Sequence, residues 1–371
     1  MTDTASSRPR PASSPDAIAA FLRGLDPAYA PTPLRTLPAL ARTLGVAQVL
    51  AKDESVRTLG SFKSLGGTYA GLMALARAAG TSPADLLAAR PAGQPALICA
   101  SDGNHGLAVA AAARFAGAPA RVFLHAGVPP WRARRIRDEG AEIVRVAGTY
   151  DDAVEAAAMA SRMGAGLLVA DTTDDPSDPT VRDVMAGYGV MAAEIRDQAG
   201  GDRPTHLFVQ AGVGGLAAAM AEGLAGWLGP PGLVVAVEPE QAACLAPALA
   251  AGHPVRVPGD LHTTAEMLSC GEASAPALTL LRRHGTKAAT VTEAELMQAP
   301  KILAEAGGPA TTPSGAAGLA GLVAALADPA RAAEFRLDRE SRVLVLVTEA
   351  ALQEVVQEAV REAVRESVEE A

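Results

Sequence analysis

Aromatic residues are scarce in this chain, at 3 % of 371 positions, and lysines scarcer still, with only Lys52, Lys63, Lys287 and Lys301. The first shortage excludes a core built on stacked rings. The apolar 49 % of the chain must pack through Ala, Val, Leu and Gly, a composition suited to helices lying close on a sheet. The second shortage leaves few candidates for any reaction that needs an amine. Cysteine is sparse as well: Cys99, Cys244 and Cys270 are odd in number and lack the paired spacing of a zinc site or a disulfide framework, which fits a reducing cytoplasm. Positive charge is in deficit too. A formal net charge of -9 argues against a nucleic-acid partner, because phosphate backbones are bound by clustered Lys and Arg. The one basic run, Trp131-Arg132-Ala133-Arg134-Arg135-Ile136-Arg137, reads as the solvated face of a helix. Bilayer spans are not expected: the uncharged segments 205–221 and 309–327 are broken by Gly, Pro, Ser and Thr and read as buried soluble segments. Residues 1–15, rich in Ser, Pro and Arg, are expected to be a disordered leader and not a signal peptide.

The length leaves room for about two domains, at roughly 100–200 residues each, with a cleft between them. Short β-rich apolar runs at 47–51, 95–100, 120–124, 142–146, 167–170, 206–210, 233–237 and 343–347 alternate with Ala-rich helical patterns. That alternation predicts an α/β fold of mostly parallel sheet wrapped by helices. The polar stretch 171–180 is a loop and a candidate lobe junction, and the tail from Ala351 carries Val and Ala at helical spacing, as an appended amphipathic helix or a solvated extension would.

Three segments can carry chemistry. Lys63 follows Gly60-Ser61-Phe62 and opens a helical run; a helix N-terminus disfavours an ammonium, so a neutral amine or an aldimine suits it better, although an ordinary turn lysine has the same neighbours. In Ser101-Asp102-Gly103-Asn104-His105-Gly106, at the carboxyl end of a strand, Asn104 can hydrogen-bond a phenolic or carbonyl oxygen and Asp102 can accept a proton. Gly212-Val213-Gly214-Gly215-Leu216 leads from a strand into a helix whose first amides form an anion site. With Ala217 and the acid Glu238 ending the next strand, the same loop also satisfies a dinucleotide fingerprint, so a nicotinamide dehydrogenase stays open beside a phosphate-bearing aldehyde cofactor, as does a ligand-binding paralogue without activity.

Together the three segments resemble the fold type II pyridoxal-phosphate enzymes, relatives of threonine dehydratase and tryptophan synthase β, and most of all the diaminopropionate ammonia-lyase family. Its pattern runs from Ala30-Pro31-Thr32-Pro33-Leu34 through Lys52-Asp53-Glu54-Ser55 and Gly187-Tyr188-Gly189 to Val237-Glu238-Pro239 and Ser269-Cys270-Gly271-Glu272. The resemblance implies two lobes: a large cofactor-phosphate-binding domain from 16–66 plus 175–350, and a small domain from 67–174, followed by an extension over 351–371. It implies pyridoxal phosphate held as a Schiff base on Lys63 with Phe62 beside it, Asn104 on the phenolic oxygen, Gly212, Val213, Gly214, Gly215 and Leu216 around the phosphate, and Thr348 at the pyridine nitrogen. Asp102 and Asp171 match acids that take the Cα proton from opposite enantiomers, while Asp171 also reads as a turn acid. A small amino-acid substrate, a homodimer and β-elimination to a 2-oxo acid and ammonia follow, with dehydration of serine or threonine and β-replacement as variants.

The departures bear on the substrate. Thr173-Asp174-Asp175-Pro176-Ser177 stands where the lyases continue with Trp-Glu-Gly-Tyr, so an aromatic wall of the pocket is expected to be gone. Their Gly-Glu-Ser-Gly-Ala reads Thr312-Pro313-Ser314-Gly315-Ala316, losing a carboxylate, and the terminal Thr-Glu-Gly reads Thr348-Glu349-Ala350. The spacing from Arg57 to Lys63 is one residue shorter than in the lyases and nearer that of the dehydratases.

Overall fold

The computed structural model describes residues 14–101 and 103–351. Asp102 and the C-terminal extension from 352 onward lie outside the described residues, as does most of the leader. Two sheets organise the chain. The larger has the order β1 (Leu34–Thr36), β2 (Gln48–Asp53), β10 (Arg342–Val347), β7 (His206–Gln210), β8 (Leu233–Pro239), β9 (Lys287–Val291), parallel throughout except for the antiparallel edge strand β1. The smaller, all parallel, has the order β5 (Glu142–Val146), β4 (Ala120–His125), β3 (Leu97–Ala100), β6 (Leu167–Leu168). The helices, in chain order, are α1 (Pro15–Leu25), α2 (Pro38–Leu44), α3 (Lys63–Ala78), α4 (Pro83–Ala89), α5 (Asn104–Ala116), α6 (Pro130–Asp138) and α7 (Tyr150–Arg162). They continue with α8 (Pro179–Ala199), α9 (Gly215–Leu224), α10 (Leu245–Ala251), α11 (Ala275–Arg283), α12 (Glu293–Glu305), α13 (Pro313–Ala327) and α14 (Pro329–Glu334). This is the expected α/β architecture of parallel sheets wrapped by helices.

A parallel strand covered on both faces must be apolar at every position, with successive side chains facing opposite ways. β10 shows this: Leu344 and Leu346 enter one core cluster, with Leu207 and Val209 of β7, while Val343, Val345 and Val347 enter another with Phe208. The second cluster is closed by α12 and α13, and the first by α3, α5, α8 and α9. Small residues let these helices touch. A Cβ added at Gly187 of α8 would fall 2.6 Å from Gly66 Cα of α3, so the two backbones meet with nothing between them, and the first turn of α3 is pinned.

Three sequence expectations need correction. Ser14 and Pro15 belong to α1 and not to a disordered leader: Ser14 Oγ accepts from Ala17 N at 3.2 Å and Pro15 occupies the first helical position. The basic run forms α6, but only part of it is a solvated face. Arg132 crosses to Glu266 with 17 % of its side chain exposed, and Arg135 Nη2 donates to Leu59 O at 2.9 Å, so this face of the helix is engaged by other segments. Strands β1 and β9 had no counterpart among the apolar runs.

Candidate active site

Lys63 opens α3, and the chain reaches it through a turn in which Leu59 and Gly60 take left-handed φ values of 66° and 78°. This approach is stitched to the end of β10. Phe62 N donates to Thr348 O at 3.1 Å, Ala350 N donates to Gly60 O at 3.0 Å, and Ser61 and Glu349 form an antiparallel bridge. Sheet hydrogen bonding therefore fixes Lys63 relative to Thr348.

Across the cleft, Asp171 follows β6. Lys63 Nζ donates to Asp171 Oδ2 at 2.5 Å. Burial works against the charge on each; their mutual attraction overcomes it, raising the Lys63 amine above its ordinary range and holding the Asp171 carboxyl well below its own. The sequence expectation is a neutral amine or an aldimine; without the cofactor the contact with Asp171 favours the ammonium. A full carboxylate charge in contact outweighs the partial charge of a helix end. His105 Nε2 must donate to Val169 O at 2.7 Å, since a carbonyl only accepts, and its burial lowers its pKa, so the ring is neutral. That bond ties the first turn of α5 to the segment carrying Asp171.

On the same turn Asn104 begins α5 and donates Nδ2–H to Glu349 Oε2 at 2.5 Å. Gln210 Nε2 donates to Thr348 Oγ1 at 2.9 Å, which leaves the threonine hydroxyl proton for another acceptor. Gly214, at φ 94°, caps α9, whose first amides lack intrahelical partners. Phe62, Lys63, Asn104, Asp171, the 212–216 loop and Thr348 all line one cleft, whose empty space, counting its open mouth, is about 1020 Å³. Its aromatic lining comes from Tyr150, Tyr188 and Phe62, Phe62 and Tyr188 with ring centroids 4.8 Å apart, and not from the segment 173–177. Glu238 does not face the cleft as a ribose acid must. It is fully buried and accepts from Leu245 N at 2.6 Å and Ala246 N at 2.9 Å at the start of α10, which removes the nicotinamide reading. Among the described residues no cluster of His, Cys, Asp and Glu could hold a metal ion, and no helix is long and apolar enough to cross a membrane.

The sequence profile of the family described as pyridoxal-phosphate dependent enzyme matches residues 25–349. The chain belongs to that family. Diaminopropionate ammonia-lyase of Escherichia coli strain K12 is 32 % identical over an alignment covering 86 % of this chain and 84 % of that one. A serine dehydratase-like protein of Mus musculus is 31 % identical over 69 % and 70 %. Among solved structures, diaminopropionate ammonia lyase from Escherichia coli in complex with D-serine superposes with a TM-score of 0.81 at 29 % identity, covering 92 % of this chain and 90 % of that one. A threonine deaminase from T.th. follows with a TM-score of 0.72 at 28 % identity, covering 92 % and 99 %. This pyridoxal-phosphate enzyme is a fold type II lyase.

The cleft of the enzyme fits its cofactor. A Cβ at Gly212 would come within 2.8 Å of Cys270 Sγ and one at Gly214 within 3.0 Å of Leu245, so only bare backbone can form this wall and a phosphate can meet the amides directly. Reading the sequence assigned no role to Gln210, although it heads the segment 210–216, nor to Glu349 and Tyr188. Tyr188 was visible within a family motif but without a role; its phenol lies beside Lys63, is pushed up to about 12 by burial and stays protonated.

Proposed function

We propose that this enzyme eliminates the β-substituent of a small amino acid, releasing ammonia and a 2-oxo acid, with 2,3-diaminopropionate as the leading substrate. The observation that carries the reading is the Lys63–Asp171 contact at 2.5 Å, facing the glycine cradle of 212–216 within one cleft. An amine and a base are thus held together where an anion can be anchored. Lys63 Nζ would hold the cofactor's aldehyde carbon, Phe62 would flank it, Asn104 would face its phenolic oxygen, Gly212, Val213, Gly214, Gly215 and Leu216 its phosphate, and Thr348 its ring nitrogen. When bound, the cofactor supplies an electron sink for the substrate's Cα.

Thr348 offers the ring nitrogen a neutral hydroxyl and no carboxylate, with Gln210 holding that hydroxyl as a donor. Asp171 takes the Cα proton of one enantiomer. It is held ionised by the Lys63 ammonium beside it, and any loss of positive charge at Nζ would raise its basicity. Asp102 serves as the base for the other enantiomer in this reading. A panel of β-substituted D- and L-alanines, assayed for ammonia and 2-oxo acid, tests the proposal. Production of both from 2,3-diaminopropionate at rates above those from serine and threonine is the expected result; a loaded enzyme that forms no 2-oxo acid from any member sinks it.

A further inference from the structure

Glu349 ends β10 beside Thr348, lines the cleft and is nearly sealed off, with 9 % of its surface exposed. A carboxylate in such a place is costly unless its oxygens are hydrogen-bonded. Each of them is: Oε1 accepts from Thr312 Oγ1, and Oε2 accepts from Asn104 Nδ2 at 2.5 Å. The backbone is held as well. Its carbonyl accepts from Thr311 Oγ1 at 2.5 Å, and the residue bridges to Ser61 just ahead of Lys63. Arg132 and Arg135 of α6 add positive charge from further away, while burial, the largest influence, pushes the carboxyl above its ordinary value. The Thr312 hydroxyl also caps α13, accepting from Gly315 N at 3.0 Å while it donates to Glu349. Nothing in the reaction described above uses this carboxyl group.

Its geometry does bear on Asn104. A side-chain amide has a nitrogen with two N–H donors and an oxygen that only accepts, and the two ends are nearly the same size. Left alone, the group can turn either end toward the cleft. An oxygen facing an anionic phenolic oxygen repels it; a nitrogen donates to it.

We infer that Glu349 is a positioning residue: by accepting one N–H of Asn104 it keeps the amide nitrogen, and not the amide oxygen, turned toward the phenolic oxygen of bound pyridoxal phosphate. This rests on the placement of Asn104 proposed above. Glutamine at 349 can do the same work, its oxygen accepting from Asn104 while its nitrogen donates to the Thr312 hydroxyl. A side chain of similar size without an acceptor cannot.

The test uses the full-length chain, freed of cofactor and titrated with pyridoxal phosphate, reading the dissociation constant and the position of the visible absorbance band. Glu349→Met is expected to weaken binding about tenfold and to shift the band, as loss of a buried charge-assisted hydrogen bond does. Glu349→Gln is expected to stay within about threefold of the native chain with an unshifted band. In an Asn104→Ala background, Glu349→Met should add less than about twofold, because coupled residues are not additive. Should Glu349→Met not fold, Glu349→Ser takes its place. If Asn104→Ala leaves affinity and band unchanged, the placement of Asn104 falls and this inference with it. If Asn104→Ala weakens binding but the 349 variant costs the same factor in both backgrounds, or Glu349→Gln fails to restore binding at a native melting temperature, only the inference about Glu349 falls.

Discussion

Lys52 and Lys63 both donate to a carboxylate at close range, Lys52 to Glu194 at 2.6 Å and Lys63 to Asp171 at 2.5 Å, yet only one is placed to react. Lys52 has every ammonium proton assigned: besides Glu194 it donates to Thr32 O at 2.7 Å and to Gln198 Oε1 at 2.9 Å, and none of its side chain is exposed. Arg57 closes the network, with Nε donating to Glu54 and Nη2 to Glu194, both at 2.7 Å. Burial is the dominant influence there and lowers the Lys52 pKa even against Glu194 and Glu54. At Lys63 the balance is reversed, because Asp171 wins over burial, and 23 % of the side chain stays open to the cleft. A partner carboxylate therefore does not distinguish a reactive lysine from a structural one. Saturation of its donors and access from solvent do.

Exchanging the two lysines in experiment gives the largest contrast. Lys63→Ala should lower turnover by on the order of a thousandfold or more at a smaller cost in melting temperature than Lys52→Met, since Asp171 keeps some access to solvent. Lys52→Met should do the reverse, costing about 3–5 kcal/mol of stability because Glu194 is left short of a buried partner, with turnover of the folded fraction retained. Equal loss of activity in two equally stable variants breaks the comparison. Next, Asp171→Asn should lower kcat on one enantiomer by about 10²–10⁴-fold and spare the other, as removal of a general base for one face does. Activity measured on separated D and L substrates decides this.

The pH dependence of stability sharpens the same contrast. In the cofactor-free protein Asp171 is depressed, so its contribution is present above the ordinary carboxylate range and is lost as pH falls through its lowered pKa. Lys63 is raised, so its contribution is complete below the ordinary lysine range and is lost as pH rises beyond it. The lowered Lys52 has the opposite sign: folding is favoured more as pH rises through its own window. Melting curves of the cofactor-free native chain and of Asp171→Asn should therefore differ most across the middle of the pH range and converge toward its two ends. The smallest effect belongs to a third kind of ion pair. Arg256 and Asp151 meet with 69 % and 65 % of their side chains exposed, and Arg256→Ala should leave the melting temperature unchanged within error, since solvent screens such pairs.

Much of this fold is legible from the chain itself where burial is two-sided, because a strand covered on both faces is a continuous apolar run: 206–210 matches β7 to the residue. The edges are not. β1 is Leu-Arg-Thr with two exposed positions, and β9 is Lys-Ala-Ala-Thr-Val, whose alanines read as well in a helix. Their strand character comes from a neighbour's hydrogen bonds. In the cleft, Lys63, Asn104 and the 212–216 loop stand out because glycines and turn residues flank them locally. Gln210 does not, since a glutamine ending a strand acquires meaning only from the Thr348 hydroxyl brought beside it.

Local chemistry by itself determined that this chain builds parallel sheet, offers a glycine cradle for an anion and carries one lysine at a helix start, because apolar periodicity and backbone freedom are properties of neighbouring residues. The proton on Lys63, the donor end of Asn104 and the capping role of Glu238 were decided by tertiary structure alone. Charge state and amide orientation depend on groups within a few ångströms, and the fold draws these from distant places: Asp171 for Lys63 and Glu349 for Asn104.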